Sequence, residues 1–176
     1  MGAVQLLPQQ GETVMFARIV AAAAMLMVAT PVWAEDEEQA IRDLEQKFAE
    51  AFKAKDIDAI LALYDPNVLV FDVVPPRQFL GTAAYRKDWE GFFSAIDGPV
   101  RFDINHLTVT ADGNLAYGTS IQDVSGTDKT GQNFHMAVRV TDVYRKSNNG
   151  EWLIVHEHVS VPVNLETNMP DMMSRE

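Results

Sequence analysis

The stretch from residue 133 to residue 162 constrains the fold most, because it holds two long runs rich in β-branched and aromatic residues. The runs flank Ser-Asn-Asn-Gly at 147–150, whose Asn and Gly tolerate positive φ, so the pattern predicts a β-hairpin. Apolar residues occur at both parities of each run, which indicates that both faces of the hairpin are covered. Its titratable and charged residues include His135, Arg139, Asp142, His156, Glu157 and His158. Because unpartnered charges are costly to bury, this cluster predicts either a polar pocket or a polar subunit interface.

The amino terminus has the three parts of a secretory signal peptide. A short basic start at 15–18 precedes an apolar run at 19–29, and Val-Trp-Ala at 32–34 fits a cleavage site. We therefore assign residues 1–34 to a signal region with Met15 as the true start, and we expect cleavage after Ala34. The apolar run is too short to span a bilayer, although an uncleaved anchor is the alternative. The mature protein is expected to be periplasmic or secreted, with no membrane association after cleavage.

Composition excludes several classes of function. The chain has 14 Lys and Arg residues against 25 Asp and Glu residues, a net charge of −11, which argues against a nucleic-acid partner. It has no cysteine, so disulfides, thiolate catalysis and thiolate metal ligation are excluded. No glycine-rich phosphate loop, nucleophile elbow or dinucleotide fingerprint occurs. We therefore expect no cofactor, and we expect stability to come from packing or from oligomerisation.

The order of helical and strand patterns predicts the fold class. Apolar residues recur at spacings of three and four from 37 to 55, and two further helical patterns have Asp56 and Thr82 as their predicted N-caps. A short apolar strand at 68–71 ends at Asp72, and strands at 100–110 and 115–123 precede the hairpin. This order predicts an α+β fold, in which three helices lie against one face of a strongly bent, mostly antiparallel sheet. Such a sheet encloses a cone, which is the default place for a small-molecule site.

Three stretches carry a resemblance to a known superfamily: Ala-Leu-Tyr-Asp-Pro-Asn-Val-Leu-Val-Phe-Asp at 62–72, Gly-Thr-Ala-Ala-Tyr-Arg at 81–86, and 141–160. They resemble the ketosteroid-isomerase-like, SnoaL-like group of the nuclear-transport-factor-two superfamily. The last stretch is also similar to the closing strand of the association domain of calcium/calmodulin-dependent protein kinases. The resemblance implies a cystatin-like α+β roll over residues 35–165, followed by a weakly patterned tail at 166–176.

The resemblance also implies roles for individual residues. Asp72 stands where the isomerases have their general base. Phe48 stands where they have the tyrosine that donates to the enolate oxygen, and Arg139 where they have a protonated aspartic acid. The oxyanion hole of those enzymes is therefore not reproduced, although an arginine at 139 can itself polarise a carbonyl or bind a carboxylate.

Several of these candidates have two interpretations. Asp72 is either a pocket base or a carboxylate that caps a loop. A three-residue turn at 147–149 would set Arg139 opposite Glu157, either as a structural pair or as a ligand-binding arginine held by Glu157. His156 and His158 lack a visible third metal ligand, so we interpret them as hydrogen-bonded histidines at an interface rather than as a metal site. The predicted site consists of Asp72 and Arg139 as catalytic residues and of His135, Glu157, Tyr64 and Trp89 as ligand-binding residues.

The sequence therefore leads to two hypotheses about function. The first is an exported enzyme or binding protein with a small apolar ligand in its cone. As an enzyme it would be a cofactor-free isomerase, cyclase or dehydratase in which Asp72 moves a proton. The alternative is a non-catalytic dimerisation or ligand-carrier module. A homodimer is expected in both cases, because a monomer rarely leaves so large an apolar sheet face in water.

Overall fold

The computed structural model describes residues 32–173, which form three helices and eight strands. The first half contains α1 (Val32–Ala54), α2 (Ile57–Leu61), β1 (Tyr64–Phe71), β2 (Phe79–Leu80) and α3 (Thr82–Ser94). The second half contains β3 (Ile96–Asp112), β4 (Leu115–Asp128), β5 (Asn133–Lys146), β6 (Trp152–Ser160), β7 (Val163–Asn164) and β8 (Met169–Pro170). The predicted start at Met15 and the basic and apolar parts of the predicted signal peptide lie outside the described residues, so export stays a prediction. No helix in the described part of the chain is long and apolar enough to cross a membrane.

Six strands form one sheet in the order β2-β1-β6-β5-β4-β3. Strands β1 and β6 run parallel, and every other neighbouring pair is antiparallel. Strands β3 and β4 are longer than their apolar patterns predict, because polar residues at their ends continue the ladder from Ile96 to Asp128. The predicted α+β class with a mostly antiparallel sheet is confirmed.

The core lies between one face of this sheet and the helices. Asp56 caps α2 as predicted, since its side chain accepts a hydrogen bond of 3.0 Å from the Ala59 amide. The predicted apolar stripe of α1 is buried, and its Phe52 ring stacks on Phe102 of β3 with centroids 4.2 Å apart. The aromatic residues of α3 pack into the same layer, since the rings of Trp89 and Phe93 lie edge-on to the Phe52 ring with centroids 5.7 and 5.2 Å away. These contacts fix both long helices against the sheet.

Gly81, and not the predicted Thr82, is the N-cap of α3, and it sets the start of this helix close to β1. Its φ is 77°, and a Cβ at this position would lie 2.9 Å from the carbonyl oxygen of Pro66. A side chain would therefore clash with backbone as well as strain the left-handed conformation. The Gly81 amide donates to the Val68 carbonyl at 2.8 Å, which ties the helix start to the strand. The first turn of α3 consequently carries Tyr85 toward the end of β1.

The predicted hairpin forms, but its register differs from the prediction. Strands β5 and β6 are joined by five residues, 147–151, in which the Ser147 amide donates to the Glu151 carbonyl at 2.7 Å. A bulge then adds one residue to β6 at Val155. The longer turn shifts the pairing by two residues and the bulge by one more, so Glu157 lies opposite Asp142 and Arg139 lies opposite Ser160. The predicted three-residue turn and the predicted pairing of Arg139 with Glu157 are wrong.

The segment after β6 folds back onto the sheet. Strands β7 and β8 form a small hairpin, and the Asp171 amide donates to the Pro162 carbonyl at 2.8 Å. The Ala137 amide of β5 donates to the Met172 carbonyl at 2.9 Å, and this hydrogen bond holds the end of the segment against β5. Met172 thereby reaches a cavity between the helices and the sheet.

Candidate functional site

A cavity of about 360 Å³ lies between α1, α3 and the inner face of the sheet. Its volume falls in the range of small-molecule sites. Most of its wall is apolar and aromatic, with contributions from Phe48, Phe52, Trp89, Phe92, Val138 and Met172. Its polar or charged lining residues are Asp72, Tyr85, Lys87, Asp88, Gln122 and Glu157. An apolar cavity with a few convergent polar groups is the arrangement that binds small organic molecules.

Asp72 lies at the cavity because β1 ends there. The strand buries Val68 and Val70 on its inner side, and the residue after Phe71 then leaves the ladder. The Val73 amide donates to Asp72 Oδ1 at 2.5 Å, and the Tyr85 hydroxyl lies 3.3 Å from Oδ2. Burial raises the pKa of Asp72 above its ordinary value, and these two hydrogen bonds oppose the rise. A half-buried carboxylate with a raised pKa is suited to accept a proton.

Glu157 reaches the same cavity from β6 and is 4% exposed. Its two oxygens accept hydrogen bonds from tyrosines on different elements. The Tyr64 hydroxyl donates to Oε2 at 2.5 Å, and the Tyr85 hydroxyl donates to Oε1 at 2.6 Å. Burial raises the pKa of Glu157 to about 7, although both hydroxyls stabilise its charged form. Glu157 therefore changes its charge near neutral pH.

Two further buried acids lie behind Glu157. Asp142 lies opposite it on β5, and Asp142 Oδ1 has no hydrogen-bond partner among the described residues. Glu45 enters from α1 and accepts a hydrogen bond of 2.6 Å from the Tyr144 hydroxyl. Burial raises the pKa of Asp142 well above its ordinary value and raises that of Glu45 as well. Within residues 35–173 these acids form no salt bridge, so the fold favours their protonated forms.

The cavity is also lined by Gln122, Asp88 and Lys87. Gln122 of β4 is 8% exposed, and within the described part of the chain its side-chain amide makes no hydrogen bond, so it is free to bind a ligand. Asp88 lies on α3, and burial followed by repulsion from Asp72 raises its pKa to about 6. Lys87 is the one cation among the described lining residues, and it is exposed. The cavity is therefore acidic and has almost no positive charge.

The structure brings together only part of the predicted site. Asp72, Glu157 and Trp89 line the cavity, and Tyr64 lies below it in contact with Glu157. His135 and Arg139 do not reach it. Both are exposed, because Val138 and Val140 take the inward positions of β5 and the odd-numbered residues point to the other face. Contrary to the prediction, Arg139 and His135 therefore cannot contact a ligand in this cavity.

His135, His156 and His158 all lie on the outer face of the sheet, which is the face opposite the cavity. His135 Nε2 lies 2.9 Å from Asp123 Oδ1, and His156 Nδ1 lies 2.8 Å from the Leu69 carbonyl. The Phe71 ring contacts both His156 and His158, with centroids 5.1 and 5.8 Å apart. Among the described residues no group of three or more potential ligands is placed to hold a metal ion. An interface role for these histidines stays a prediction.

Tyr85, Gln122 and Met172 were not predicted as site residues. Gln122 lies on the buried side of β4 with Ser120 and Val124, but the apolar Ile121 points to the other side, so strand parity in the sequence does not identify Gln122 as a buried residue. Tyr85 lies in the apolar stripe of α3, a pattern that is typical of core residues, and its ring is indeed buried. Nothing in the pattern of the tail indicates that Met172 returns to the cavity.

Comparisons with known proteins agree with this architecture. Residues 41–164 match the family described as the SnoaL-like domain. An NTF2-like protein of unknown function from Pseudomonas putida KT2440 is 30% identical, with a TM-score of 0.73 over 81% of this chain and 99% of that chain. A ketosteroid isomerase-like protein from Erwinia carotovora atroseptica is 21% identical, with a TM-score of 0.62 over 71% of this chain and 95% of that one.

A third solved structure is a putative calcium/calmodulin dependent protein kinase II association domain from Xanthomonas campestris. It is 24% identical, with a TM-score of 0.60 over 68% of this chain and 84% of that one. No curated protein matches the chain in sequence. The chain therefore belongs to the SnoaL-like domain family, and its fold is that of the NTF2-like and ketosteroid isomerase-like proteins.

Proposed function

We propose that this protein binds a small, uncharged, mainly apolar molecule in its cavity and moves a proton next to a carbonyl group of that molecule, with Asp72 as the base. The observation that carries the proposal is a desolvated carboxylate, Asp72, at the wall of an aromatic cavity of about 360 Å³. A general base must be close to the proton that it removes, and it works best when its pKa lies near the working pH. The ketosteroid isomerase-like relative supports this class of chemistry.

The charges of the cavity favour an uncharged ligand. A carboxylate ligand would meet Asp72, Asp88 and Glu157, and like charges in a poorly solvated site repel each other strongly. The free amide of Gln122 both donates and accepts hydrogen bonds, so it suits a carbonyl or a hydroxyl group. The aromatic wall supplies the apolar contact area.

The first prediction concerns a matched pair of ligands. 2-Acetylnaphthalene, an uncharged aromatic ketone, should raise the melting temperature of the purified protein, whereas 2-naphthoate should not, because only the carboxylate is repelled. Ligand that binds the native state alone stabilises it by mass action. In D₂O the protein should also accelerate exchange of the methyl protons next to the ketone, as followed by proton NMR. Asp72→Asn should keep the fold and lose this exchange by about 100-fold or more.

Asp97→Asn is the matched control, because Asp97 is an exposed aspartate away from the cavity. It should exchange protons as the wild type does. Ketone binding without any accelerated exchange would support the ligand-carrier alternative. If the carboxylate binds as well as the ketone, the proposal of an uncharged ligand is wrong.

We also propose a homodimer that forms through the outer face of the sheet. Leu69, Phe71 and Val143 lie on that face and are partly exposed, and the helices of the described part pack on the opposite face. Sedimentation at micromolar concentration should therefore give about twice the mass of one chain. Phe71→Glu should give monomers, because it places a charge in the proposed interface. Leu165→Glu, at a residue between β7 and β8 that is 87% exposed, should remain dimeric. A monomeric wild-type protein would contradict the proposal.

A further inference from the structure

The Tyr85 hydroxyl lies between the two carboxyl groups of the cavity. Its oxygen is 2.6 Å from Glu157 Oε1 and 3.3 Å from Asp72 Oδ2. A phenol has a single hydrogen, so it donates to only one of these oxygens at a time. If both carboxyl groups were ionised, the second contact would bring oxygen lone pairs together in a poorly solvated place. One additional proton removes this conflict.

We propose that Asp72 and Glu157 hold one proton in common through the Tyr85 hydroxyl, so that only one of the two carboxyl groups is charged at a time. In the first arrangement Glu157 is protonated and donates to the Tyr85 oxygen, while Tyr85 donates to Asp72. In the second arrangement Asp72 is protonated and donates to the Tyr85 oxygen, while Tyr85 donates to Glu157. Every contact has one hydrogen in both arrangements.

The surroundings disfavour a second negative charge. The titratable or charged groups that face this pair come from α1, β1, α3 and β5, namely Glu45, Tyr64, Lys87, Asp88, Asp142 and Tyr144. Lys87 is the one cation in this set, and it is exposed. Like charges that share a buried site do not ionise independently, and their protons are released in steps that belong to the pair.

Burial and hydrogen bonding have opposing effects on where the negative charge lies, on Asp72 or on Glu157. Glu157 is more deeply buried, which disfavours its charge, but it can accept from both Tyr64 and Tyr85. Asp72 is less buried and accepts a short hydrogen bond from the Val73 amide. Lower burial therefore favours the charge on Asp72, whereas the larger number of hydrogen bonds favours it on Glu157, and these opposing effects let the proton reside on either carboxyl group.

This exchange gives Asp72 two chemical states, and its use in catalysis rests on the proposed function. When Glu157 carries the shared proton, Asp72 is a carboxylate that can accept a proton from the ligand, and the electron pair stays on the ligand beside its carbonyl. When Asp72 carries the shared proton, it is an acid. The passage breaks the O–H bond of Glu157, forms and breaks one at Tyr85, and forms one at Asp72, while the negative charge moves from Asp72 to Glu157. Glu157 is thus a positioning residue that acts through Tyr85.

The experiment is a pH titration of the ligand-free protein with ¹³C-labelled Asp and Glu carboxyl groups, read by NMR. Asp72→Asn and Glu157→Gln assign the two resonances. In the wild type both resonances should follow the same two steps, separated by about two pH units. In Tyr85→Phe, which keeps the buried ring, each carboxyl should follow a single midpoint of its own. In Glu157→Gln the side-chain amide donates to Tyr85, so the midpoint of Asp72 should fall by about one pH unit.

Tyr64→Phe is the matched control, because it removes the other hydroxyl on Glu157 without touching Asp72. It should keep the common steps. Independent midpoints in the wild type would overturn the proposal, and so would common steps that survive Tyr85→Phe, since repulsion between the charges alone would then explain them. Because no ligand is present, the result is independent of the ketone-binding test, and either proposal can fail without the other.

Discussion

The protein should lose stability as the pH rises from about 5 to about 8. Glu157, Asp142 and Glu45 are buried carboxyl groups without a cationic partner in the described part of the chain, and burial raises the pKa of each. A carboxyl whose pKa is higher in the folded state binds more protons there than in the unfolded chain at intermediate pH. The free energy of unfolding therefore falls as the pH rises through that interval.

The pKa of Glu157 defines the interval. The stabilisation is complete below the ordinary value of 4.5 and is lost as the pH passes the folded value of about 7. One pKa unit corresponds to about 1.4 kcal/mol, so Glu157 alone accounts for about 3 kcal/mol. Asp142 and Glu45 act in the same direction. Asp128 and Glu37 have lowered pKa values and therefore act in the opposite direction, but only below about pH 4.5.

Thermal unfolding at pH 5 and at pH 8 measures this effect directly. We expect a melting temperature about 10 °C lower at pH 8, since 1 kcal/mol corresponds to about 3 °C for a domain of this size. Glu157→Gln should reduce the difference in stability by about 3 kcal/mol, the share of Glu157, because an amide does not titrate. Glu90→Gln, on the exposed side of α3, should retain it. A wild-type melting temperature that is constant or rises between pH 5 and pH 8 would contradict the prediction.

The elements that the sequence predicts correctly are those with a strong local pattern. The spacing of Ile41, Leu44 and Phe48 determines which side of α1 is buried, and the apolar strand that ends at Asp72 brings this residue to the cavity. These features depend on periodicity and on the burial of apolar side chains, both of which are local.

The register of the last hairpin and the contents of the cavity depend on contacts that no local pattern contains. The turn at 147–151 and the bulge at Val155 together shift the pairing by three residues, which changes the residue opposite Glu157 from Arg139 to Asp142. An expected ion pair thereby becomes a pair of buried acids. Tyr85 and Tyr64 meet at Glu157 from different elements, and Met172 arrives from the tail. Such convergence is a property of the tertiary structure.

The observed register of the hairpin determines the expected effects of two substitutions. Glu157→Ala should destabilise the protein by about 3 kcal/mol at pH 5, where Glu157 is protonated. It removes the acceptor of the Tyr64 hydroxyl and the partner of Tyr85, and it enlarges the cavity next to buried aromatic rings. At pH 8 the loss should be smaller, because the substitution also removes a charge that repels Asp72 and Asp142.

Arg139→Ala should instead change the stability by less than about 0.5 kcal/mol, because Arg139 is exposed and lies opposite Ser160 rather than Glu157. Glu157→Gln is the matched control for Glu157→Ala, since its amide fills the same space and keeps an oxygen for Tyr64. It should cost no more than about 1 kcal/mol at pH 5. Urea unfolding of the three variants at pH 5 and at pH 8 gives all of these differences. If Arg139→Ala destabilises the protein as much as Glu157→Ala does, the hairpin has the register of a three-residue turn, and the acidic cluster around Glu157 does not exist.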